Sequence, residues 1–412
     1  MLKNYFKIAI AVLRRRKFFT FISLFGISFT LTILMVATAF MDKLVSADYP
    51  DLKRERSLYL TSIELKNTKE GWMNRSQLSF NFLDTYVATL KVPEKMAIST
   101  TSTPTNTYVN NKKIAVDYKY TNAAFWEVME FAFVEGKPYN KTQIDQAQHV
   151  AVISEDLKNE YFGDSSPVVG KYIEADNVRY KVIGVVKDVS KTLVNVYGNL
   201  YLPYTVSKGA YKNTELMGGY TAVLLAKSKE DIPKMEQEYN QMLKKVPFDR
   251  KEFDRLYCRA DTYLASFTRG YYGDDTNSGV GKLMWRLGLI VFIFLLLPTI
   301  NLVNINITRI MERSSEIGVR KAFGASSKTL VYQFIIENII LTFIGGLIGV
   351  ILSVFSMWLI NEADLIGNLN LALNLKVLLY SFVACLFFGL LSGVYPAWRM
   401  SRLNVVTALK AQ

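Results

Sequence analysis

The side chains that most often carry out chemistry are scarce in this sequence. The chain of 412 residues contains one histidine and two cysteines. His149 has no second histidine or cysteine near it, so we expect a structural role and no metal site. Cys258 and Cys385 lie far apart in the sequence and predict no disulfide framework. Because catalytic triads, HExxH and CxxC motifs are also missing from the sequence, we expect no hydrolytic or thiol chemistry from this chain.

One segment superficially resembles a phosphate-binding loop, because Gly281 and Lys282 follow one another. Thr276 stands where the first glycine of that motif belongs, and Leu283 replaces its serine or threonine. The sequence therefore contains no nucleotide-binding motif, and we expect no cofactor bound by this chain. Any ATP and magnesium would be used by a partner ATPase.

Apolar residues make up 50% of the chain and concentrate in four long runs with almost no charge. A membrane-spanning helix needs roughly 20 such residues. The predicted spans cover residues 18–41, 287–308, 329–361 and 377–398. The sequence thus predicts an α-helical membrane protein with four transmembrane helices and a large inserted segment, 42–286, between the first two.

The lysines and arginines indicate the orientation, because positively charged loops stay in the cytoplasm. Segments 1–17, 309–328 and 399–412 hold nearly all of the formal net charge of +13. We therefore place both termini and the 309–328 loop in the cytoplasm, and segment 42–286 and the short loop 362–376 on the outside. The charge reflects topology and predicts no binding of nucleic acid.

The first apolar run allows a second interpretation, a cleaved signal peptide, because Ala37, Thr38 and Ala39 imitate a cleavage site. The apolar region of a signal peptide covers roughly 7 to 15 residues. The run 18–41 is longer and fits a retained anchor. Apolar residues on one helical face of 1–17 predict an amphipathic elbow helix on the inner membrane surface.

Segment 42–286 is predicted to be a mixed α+β domain. Alternating apolar residues predict strands at 108–120, 150–153 and 179–186, the first of them a hairpin turning at Asn110 and Asn111. Apolar residues at helical spacing predict helices at 122–131, 155–162 and 230–245. Most of the 24 tyrosines lie in this segment, where they suit either half-buried strands or an aromatic binding surface.

The cytoplasmic loop is predicted to form a short amphipathic helix with a defined end. Glu316 stands four residues before Arg320, the favourable order for a helical ion pair. Gly324 is typical of the residue that follows the C-terminus of a helix, and Ser326 is typical of the N-cap of the third span. The segment is either an interfacial turn or a docking element for a cytoplasmic partner. Its candidate residues are Glu316, Ile317, Gly318, Val319, Arg320, Lys321, Ala322, Phe323, Gly324, Ala325 and Ser326.

Residues inside the apolar runs are candidates for function or helix packing. Glu337 is ionisable and lies in the third span, which makes it a functional candidate unless it only pairs or extends to the interface. Gly345 and Gly349 have the GxxxG spacing that allows close helix approach. The polar and helix-interrupting candidates of the second span are Pro298, Asn301 and Asn304.

These motifs together resemble the MacB/FtsX-like ABC transporter permease family. Segment 316–326, followed by 333–337 and 345–349, resembles its permease core, and 389–398 resembles its last span. Val405 stands where proline is expected in the tail. Segment 162–188 resembles the MacB-like periplasmic core, and the opening residues are similar to Bacteroidetes-type permeases.

The resemblance implies four helices, with the large periplasmic domain between the first and second. It also implies two permease subunits, either a homodimer or a pair of paralogues, with a separate ABC ATPase, because this chain has no fused ATPase domain. ATP hydrolysis would reshape the periplasmic domain by mechanotransmission, and 316–326 would contact the ATPase. A periplasmic adaptor or substrate protein is a further expected partner.

We therefore expect a non-catalytic permease subunit in a bacterial inner membrane that works in efflux or in extraction of a periplasmic substrate. Two alternatives remain. An FtsX-like regulator would transmit the ATPase state to a periplasmic enzyme and export no compound. A membrane-anchored receptor would have no ATPase partner.

Overall fold

The computed structural model describes the chain except for residues 1–9, 11–14, 16, 110–111, 164–166, 275, 313–318, 320–322, 324–325, 365–366, 369, 377, 385, 388–389 and 392–412. The chain divides into two compact units. The helical unit comprises Met1–Asp42, Met284–Ala363 and Asn370–Gln412. The outer domain comprises Lys43–Leu283 and Asp364–Leu369.

Helices and strands alternate along the described residues. The helices are α1 (Lys17–Val45), α2 (Phe80–Thr85), α3 (Ala124–Val128), α4 (Lys141–Asp145), α5 (Glu155–Phe162), α6 (Ile232–Leu243), α7 (Tyr263–Tyr272), α8 (Val280–Glu312) and α9 (Ser327–Glu362). The strands are β1 (Ser57–Leu60), β2 (Ile63–Asn67), β3 (Trp72–Leu78), β4 (Lys95–Thr100), β5 (Thr103–Val109), β6 (Lys112–Thr121), β7 (Phe133–Gly136), β8 (Val150–Ser154), β9 (Tyr172–Ala175), β10 (Val178–Val186), β11 (Leu200–Pro203), β12 (Met217–Gly218), β13 (Tyr220–Leu225) and β14 (Arg255–Cys258).

The described part of the helical unit consists of long apolar helices. Within the described residues, Lys17–Lys43 and Val331–Glu362 are long and apolar enough to cross a membrane. Helix α8 extends beyond the predicted span 287–308 at both ends. The predicted span 377–398 lies partly outside the described residues, and its described residues up to 391 are helical. The elbow helix predicted for 1–17 falls almost entirely outside them.

The outer domain is built on a mixed sheet, in agreement with the predicted α+β class. Its strands follow the order β14-β2-β3-β13-β4-β6-β11-β8-β10-β7. Strand β10 runs parallel to β8 and β11 runs parallel to β6, whereas β13 is antiparallel to β1 and β4. Buried aromatic side chains fill one of its cores, among them Phe125, Trp126 and Tyr201. Many of the tyrosines therefore pack in the core of the domain.

Several predicted elements match the structure closely. Strands β8 and β10 and helix α5 agree with their predicted ranges to within a residue, and β5 pairs antiparallel with β6 as the predicted hairpin requires. The turn residues Asn110 and Asn111 lie outside the described residues. The predicted helix at 230–245 is shorter, with a 3-10 turn at Lys229–Asp231 leading into α6.

The helix predicted at 122–131 is wrong in length, because only Ala124–Val128 is α-helical. The side-chain oxygen of Asn122 accepts hydrogen bonds from the backbone nitrogens of Phe125 and Ile98, both at 3.0 Å. This residue therefore ties the helix start to β4. At the other end Met129 is extended, and the chain turns toward β7.

The segment after α9 is grouped with the outer domain, which the sequence did not indicate. The Asn368 side-chain amide donates to Asp156 Oδ2 at 2.9 Å, and the backbone nitrogen of Lys191 donates to the Gly367 carbonyl at 3.4 Å. The backbone nitrogen of Asn368 donates to Asp364 Oδ1 at 2.7 Å and closes the turn. The described residues of 364–369 are thus held by contacts with the domain.

Lys119 of β6 is a lysine with 0% exposure. Its Nζ donates to the carbonyl oxygens of Thr100 at 2.5 Å and Asn195 at 3.1 Å. Burial lowers the pKa of Lys119 from 10.5 to about 7. An unfolded chain keeps the ordinary lysine pKa, so it binds more protons than the folded chain from about pH 7 to about pH 10.5. Folding is therefore favoured as pH rises through this interval.

We expect Lys119→Met to raise the midpoint of thermal unfolding at pH 7 and to flatten its rise between pH 7 and 9. Below pH 7 the difference between the two proteins should become constant, because the lysine is then protonated in both states. Thermal unfolding of the full chain in detergent measures this. Lys69→Met, at an exposed lysine, should keep the wild-type slope, and an unchanged slope in Lys119→Met would contradict the lowered pKa.

Candidate functional site

The structure describes three of the predicted coupling residues: Val319, Phe323 and Ser326. The backbone nitrogen of Phe323 donates to the Val319 carbonyl at 3.0 Å, and the Phe323 side chain is 88% exposed. Ser326 caps α9, because its hydroxyl accepts from the backbone nitrogen of Thr329 at 3.2 Å. The residues outside the described part of the chain are Glu316, Ile317, Gly318, Arg320, Lys321, Ala322, Gly324 and Ala325.

Helices α1 and α9 meet at two glycines of α9. A Cβ atom placed on Gly349 would lie 2.9 Å from the Ser28 carbonyl oxygen and 3.0 Å from the Leu31 side chain. A Cβ atom on Gly345 would lie 2.8 Å from the Ile27 side chain. The missing side chains therefore let the two helices approach closely.

Polar side chains add hydrogen bonds along the same helix contact. The Thr32 hydroxyl donates to the Gly349 carbonyl at 3.2 Å, and the Ser353 hydroxyl donates to the Met35 sulfur at 3.4 Å. A carbonyl bonded by a neighbouring helix adds directional contact to van der Waals packing. The contact between α1 and α9 is thus defined by shape and by hydrogen bonds.

The remaining intramembrane candidates lie on two helices. Glu337 is buried in α9, with 2% exposure, next to Asn338, whose amide donates to the Phe334 carbonyl at 3.1 Å. Pro298, Asn301 and Asn304 lie in α8. The Asn304 carbonyl accepts from the Thr308 hydroxyl at 3.0 Å within that helix. Functional roles for these residues stay predictions.

The outer domain begins with a buried ion pair directly after α1. Arg54 Nε donates to Asp51 Oδ2 at 2.9 Å, and the two side chains are 4% and 2% exposed. Arg54 Nη1 donates to the carbonyl oxygens of Val45 and Ser46 at 3.1 and 2.5 Å. The last carbonyls of a helix have no partner within it. One arginine thus joins the end of α1 to the first residues of the domain.

Two tyrosines surround this ion pair. The Tyr59 hydroxyl donates to the Asp51 carboxylate, at 2.9 and 2.7 Å from its two oxygens. The Arg54 guanidinium lies 3.6 Å from the ring centroid of Tyr263, close enough for a cation–π interaction. Burial raises the pKa of Asp51, although Arg54 and Tyr59 act to lower it. The arginine, the hydroxyl and the ring together offset the cost of burying two charges.

A second ion pair lies shortly before the chain leaves the outer domain. Arg269 of α7 donates through Nε and Nη2 to the Asp261 carboxylate at 2.5 and 2.6 Å. The adjacent Thr268 hydroxyl donates at 2.8 Å to the carbonyl of Ser278, just before α8. The backbones of Asp261 and Tyr59 exchange hydrogen bonds at 2.7 and 3.1 Å. The two ion pairs are therefore connected through β1.

We call these residues the junction. They are Asp51, Arg54, Tyr59, Asp261, Tyr263 and Arg269. None of these residues was predicted from the sequence to be functional. One signal was present, since Asp51 and Arg54 stand three residues apart soon after an apolar run. The burial that makes the pair important depends on Tyr263, which is distant in sequence, so spacing alone does not reveal it.

Two family models match the chain. The MacB-like periplasmic core domain matches residues 20–242, which is more than half of the chain, and the FtsX-like permease C-terminal matches residues 288–405. Asp51, Arg54 and Tyr59 fall within the first match. Tyr263 and Arg269 lie between the two.

Curated relatives match about two thirds of the chain. It is 25% identical over 288 residues to the pyoverdine export ATP-binding/permease protein PvdT of Pseudomonas syringae, covering 70% of this chain and 42% of PvdT. It is 26% identical over 280 residues to the macrolide export ATP-binding/permease protein MacB of Campylobacter jejuni, covering 67% of this chain and 41% of that protein. The chain thus spans less than half the length of these relatives.

A solved structure of the periplasmic region of MacB from Actinobacillus actinomycetemcomitans is also similar. The match has 17% identity and a TM-score of 0.37, and it covers 52% of this chain and 92% of that one.

Proposed function

Because the chain belongs to the MacB/FtsX-like permease family, we propose that it is the permease component of an ABC-type efflux complex in a bacterial inner membrane. MacB-type permeases work with ABC ATPase domains. The relatives are named for export of macrolides and of pyoverdine, and we propose export or extraction of a periplasmic compound for this chain. In this proposal the chain supplies the permease helices and the periplasmic domain, and the ATPase supplies the energy.

A single observation carries this proposal. The same chain matches the MacB-like periplasmic core over 20–242 and the FtsX-like permease over 288–405. An outer domain inserted between membrane helices is able to change shape when those helices move, so transport does not require a pore through the bilayer. This arrangement supports mechanotransmission as the mechanism.

The proposed topology has four spans, at 18–41, 287–308, 329–361 and 377–398, with both termini in the cytoplasm. The apolar helices Lys17–Lys43 and Val331–Glu362 support the first and third of these. The concentration of lysine and arginine in the cytoplasmic segments supports the orientation. Residues 316–326 then form the segment that contacts the ATPase, with Phe323 as an exposed apolar anchor.

In the proposed mechanism, closure of the ATPase moves segment 316–326 and with it α9. Gly345 and Gly349 pass this movement to α1 through the close helix contact. Arg54 holds the carbonyl end of α1, so the movement continues into the outer domain. Two permease subunits, identical or paralogous, and a separate ATPase complete the proposed complex.

We expect the tagged wild-type chain, isolated from its native host in mild detergent, to carry an ABC ATPase. Arg320→Glu combined with Lys321→Glu should lower the recovered ATPase by about tenfold or more, because two cations at the proposed contact become anions. Mass spectrometry and ATP hydrolysis measure this. The matched control, Arg399→Glu with Arg402→Glu, makes the same charge change in the cytoplasmic tail and should retain the ATPase.

Each other outcome has a distinct meaning. Equal recovery with both double variants would contradict the coupling role of 316–326. Failure to recover any ATPase with the wild type in several detergents would overturn the permease proposal and favour a receptor. A stable periplasmic enzyme partner without export of any compound would favour a regulator.

A further inference from the structure

A pocket of about 480 Å³ opens on the outer domain beside the junction. One wall is helix α7, which contributes Tyr263, Phe267 and Tyr271. A loop adds Leu193 and Val194 to the lining. All of these residues belong to the outer domain.

Three of the apolar side chains that line this pocket are exposed. Phe267 is 51% exposed, Tyr271 is 78% exposed and Val194 is 60% exposed. The rings of Phe267 and Tyr271 lie 5.9 Å apart, so they form one continuous apolar surface. Contiguous exposed apolar surface on a folded domain usually marks a binding site.

The lining chemistry identifies the kind of ligand. Among the described residues that line the pocket, none carries a charge. Thr192, Asn195 and Ser266 add hydroxyl and amide groups. Small-molecule pockets typically measure about 300 to 1,000 Å³ and combine an apolar lining with a few polar groups. The volume of about 480 Å³ lies within this range and favours a small molecule.

We propose that this pocket binds the neutral aromatic or aliphatic part of an amphiphilic small molecule. The aromatic rings of α7 cover one face of the ligand, and Val194 covers another part of it. The Ser266 hydroxyl donates to the Tyr263 carbonyl at 2.8 Å, so its oxygen accepts a hydrogen bond from a ligand hydroxyl, and the Asn195 amide donates to a ligand hydroxyl or carbonyl. The outer domain alone provides this binding site. The further statement that the ligand is a transported substrate rests on the proposed function.

The position of the pocket connects ligand binding to the junction. Tyr263 lines the pocket and also lies beneath the Arg54 guanidinium, 3.6 Å from ring centroid to the guanidinium carbon. Arg54 holds the end of α1. A ligand that contacts Tyr263 therefore contacts the ring on which the Arg54 guanidinium lies.

Photolabelling of the full chain in lipid nanodiscs tests the proposal without any ATPase. The probe is 4-hydroxybenzophenone, a neutral aromatic molecule, and the labelled peptides are mapped by mass spectrometry. We expect labelling around Val194 and Phe267 that saturates with probe concentration and is competed by 4-hydroxydiphenylmethane, which is not photoreactive. Partition into the bilayer would not saturate, so saturation separates the pocket from the lipid.

Two variants and one control make the test specific. Phe267→Ser with Tyr271→Ser should lower pocket labelling about tenfold, and Ser266→Trp should block the pocket by filling it. The control, Tyr108→Ser with Tyr172→Ser, removes two aromatic residues that are 68% and 51% exposed elsewhere on the domain and should leave labelling unchanged. Labelling that fails to saturate, or that survives both pocket variants, would overturn the proposal. Loss of ATPase recovery in the earlier experiment would leave this result unaffected.

Discussion

Replacing Arg54 with methionine is expected to destabilise the outer domain by about 3 to 5 kcal/mol, because removal of one partner leaves the other charge buried. The Asp51 side chain is 2% exposed and would lose its ion pair. The carbonyls of Val45 and Ser46 would lose a donor at the same time. For a domain of this size, the unfolding midpoint should fall by roughly 10 °C, as measured by thermal unfolding of the full chain.

A double variant separates charge burial from general damage. Asp51→Leu combined with Arg54→Met removes both charges and should recover much of the lost stability, because apolar replacement of a buried pair is often neutral. Lys208→Met is the matched control, since Lys208 pairs with Asp176 at the surface with 74% and 46% exposure, and it should leave stability nearly unchanged. Equal effects of Arg54→Met and Lys208→Met would show that the junction is not a stabilising buried pair.

Individual helices and strands of the outer domain could be predicted because the residues that determine each of them are close together in the sequence. Helix α5 begins where Ser154 accepts a hydrogen bond from the backbone nitrogen of Leu157, and the four residues before Ser154 are apolar and buried. The sheet order could not be predicted, because strand pairing such as β13 with β4 joins segments that are distant in sequence. Periodicity gives the face that a strand buries but not the neighbour that it pairs with.

The junction and the contacts of segment 364–369 were missed for the same physical reason. The sequence shows Asp51 and Arg54 as two charges near an apolar run, which resembles an ordinary solvated end of a membrane helix. Tyr59 and Tyr263 convert them into a buried cluster, and that requires the folded domain. The candidate residues that motifs predicted were therefore those that lie close together in the sequence, such as Gly345 and Gly349.

The GxxxG spacing predicts close packing but does not identify the neighbouring helix. Many helices expose small residues, and the partner depends on the fold of the whole helical unit. In the structure the neighbour is α1, and the third glycine of this segment, Gly346, lies instead against Phe382. An added methyl group would therefore contact α1 at Gly345 and Gly349 but Phe382 at Gly346. Alanine substitutions at Gly345 and Gly349 thus test the contact between α1 and α9.

Gly349→Ala is expected to destabilise the helical unit. The added Cβ would lie 2.9 Å from the backbone oxygen of Ser28, which cannot move without shifting α1. Overpacking of this kind costs about 1 to 3 kcal/mol. Gly345→Ala should also destabilise the unit, because its Cβ would lie 2.9 Å from the Cβ atom of Ile27, which side-chain rotation does not move.

Gly26→Ala is the matched control, since a Cβ there would have no atom within 4 Å, and alanine favours the helix over glycine. Thermal unfolding in detergent should therefore give an order in which Gly26→Ala is more stable than both Gly345→Ala and Gly349→Ala. Transport by the assembled complex should fall in the same order, because a displaced α1 would pass less movement to the junction. If Gly349→Ala were as stable and active as Gly26→Ala, the close contact of α1 with α9 would not exist in the membrane.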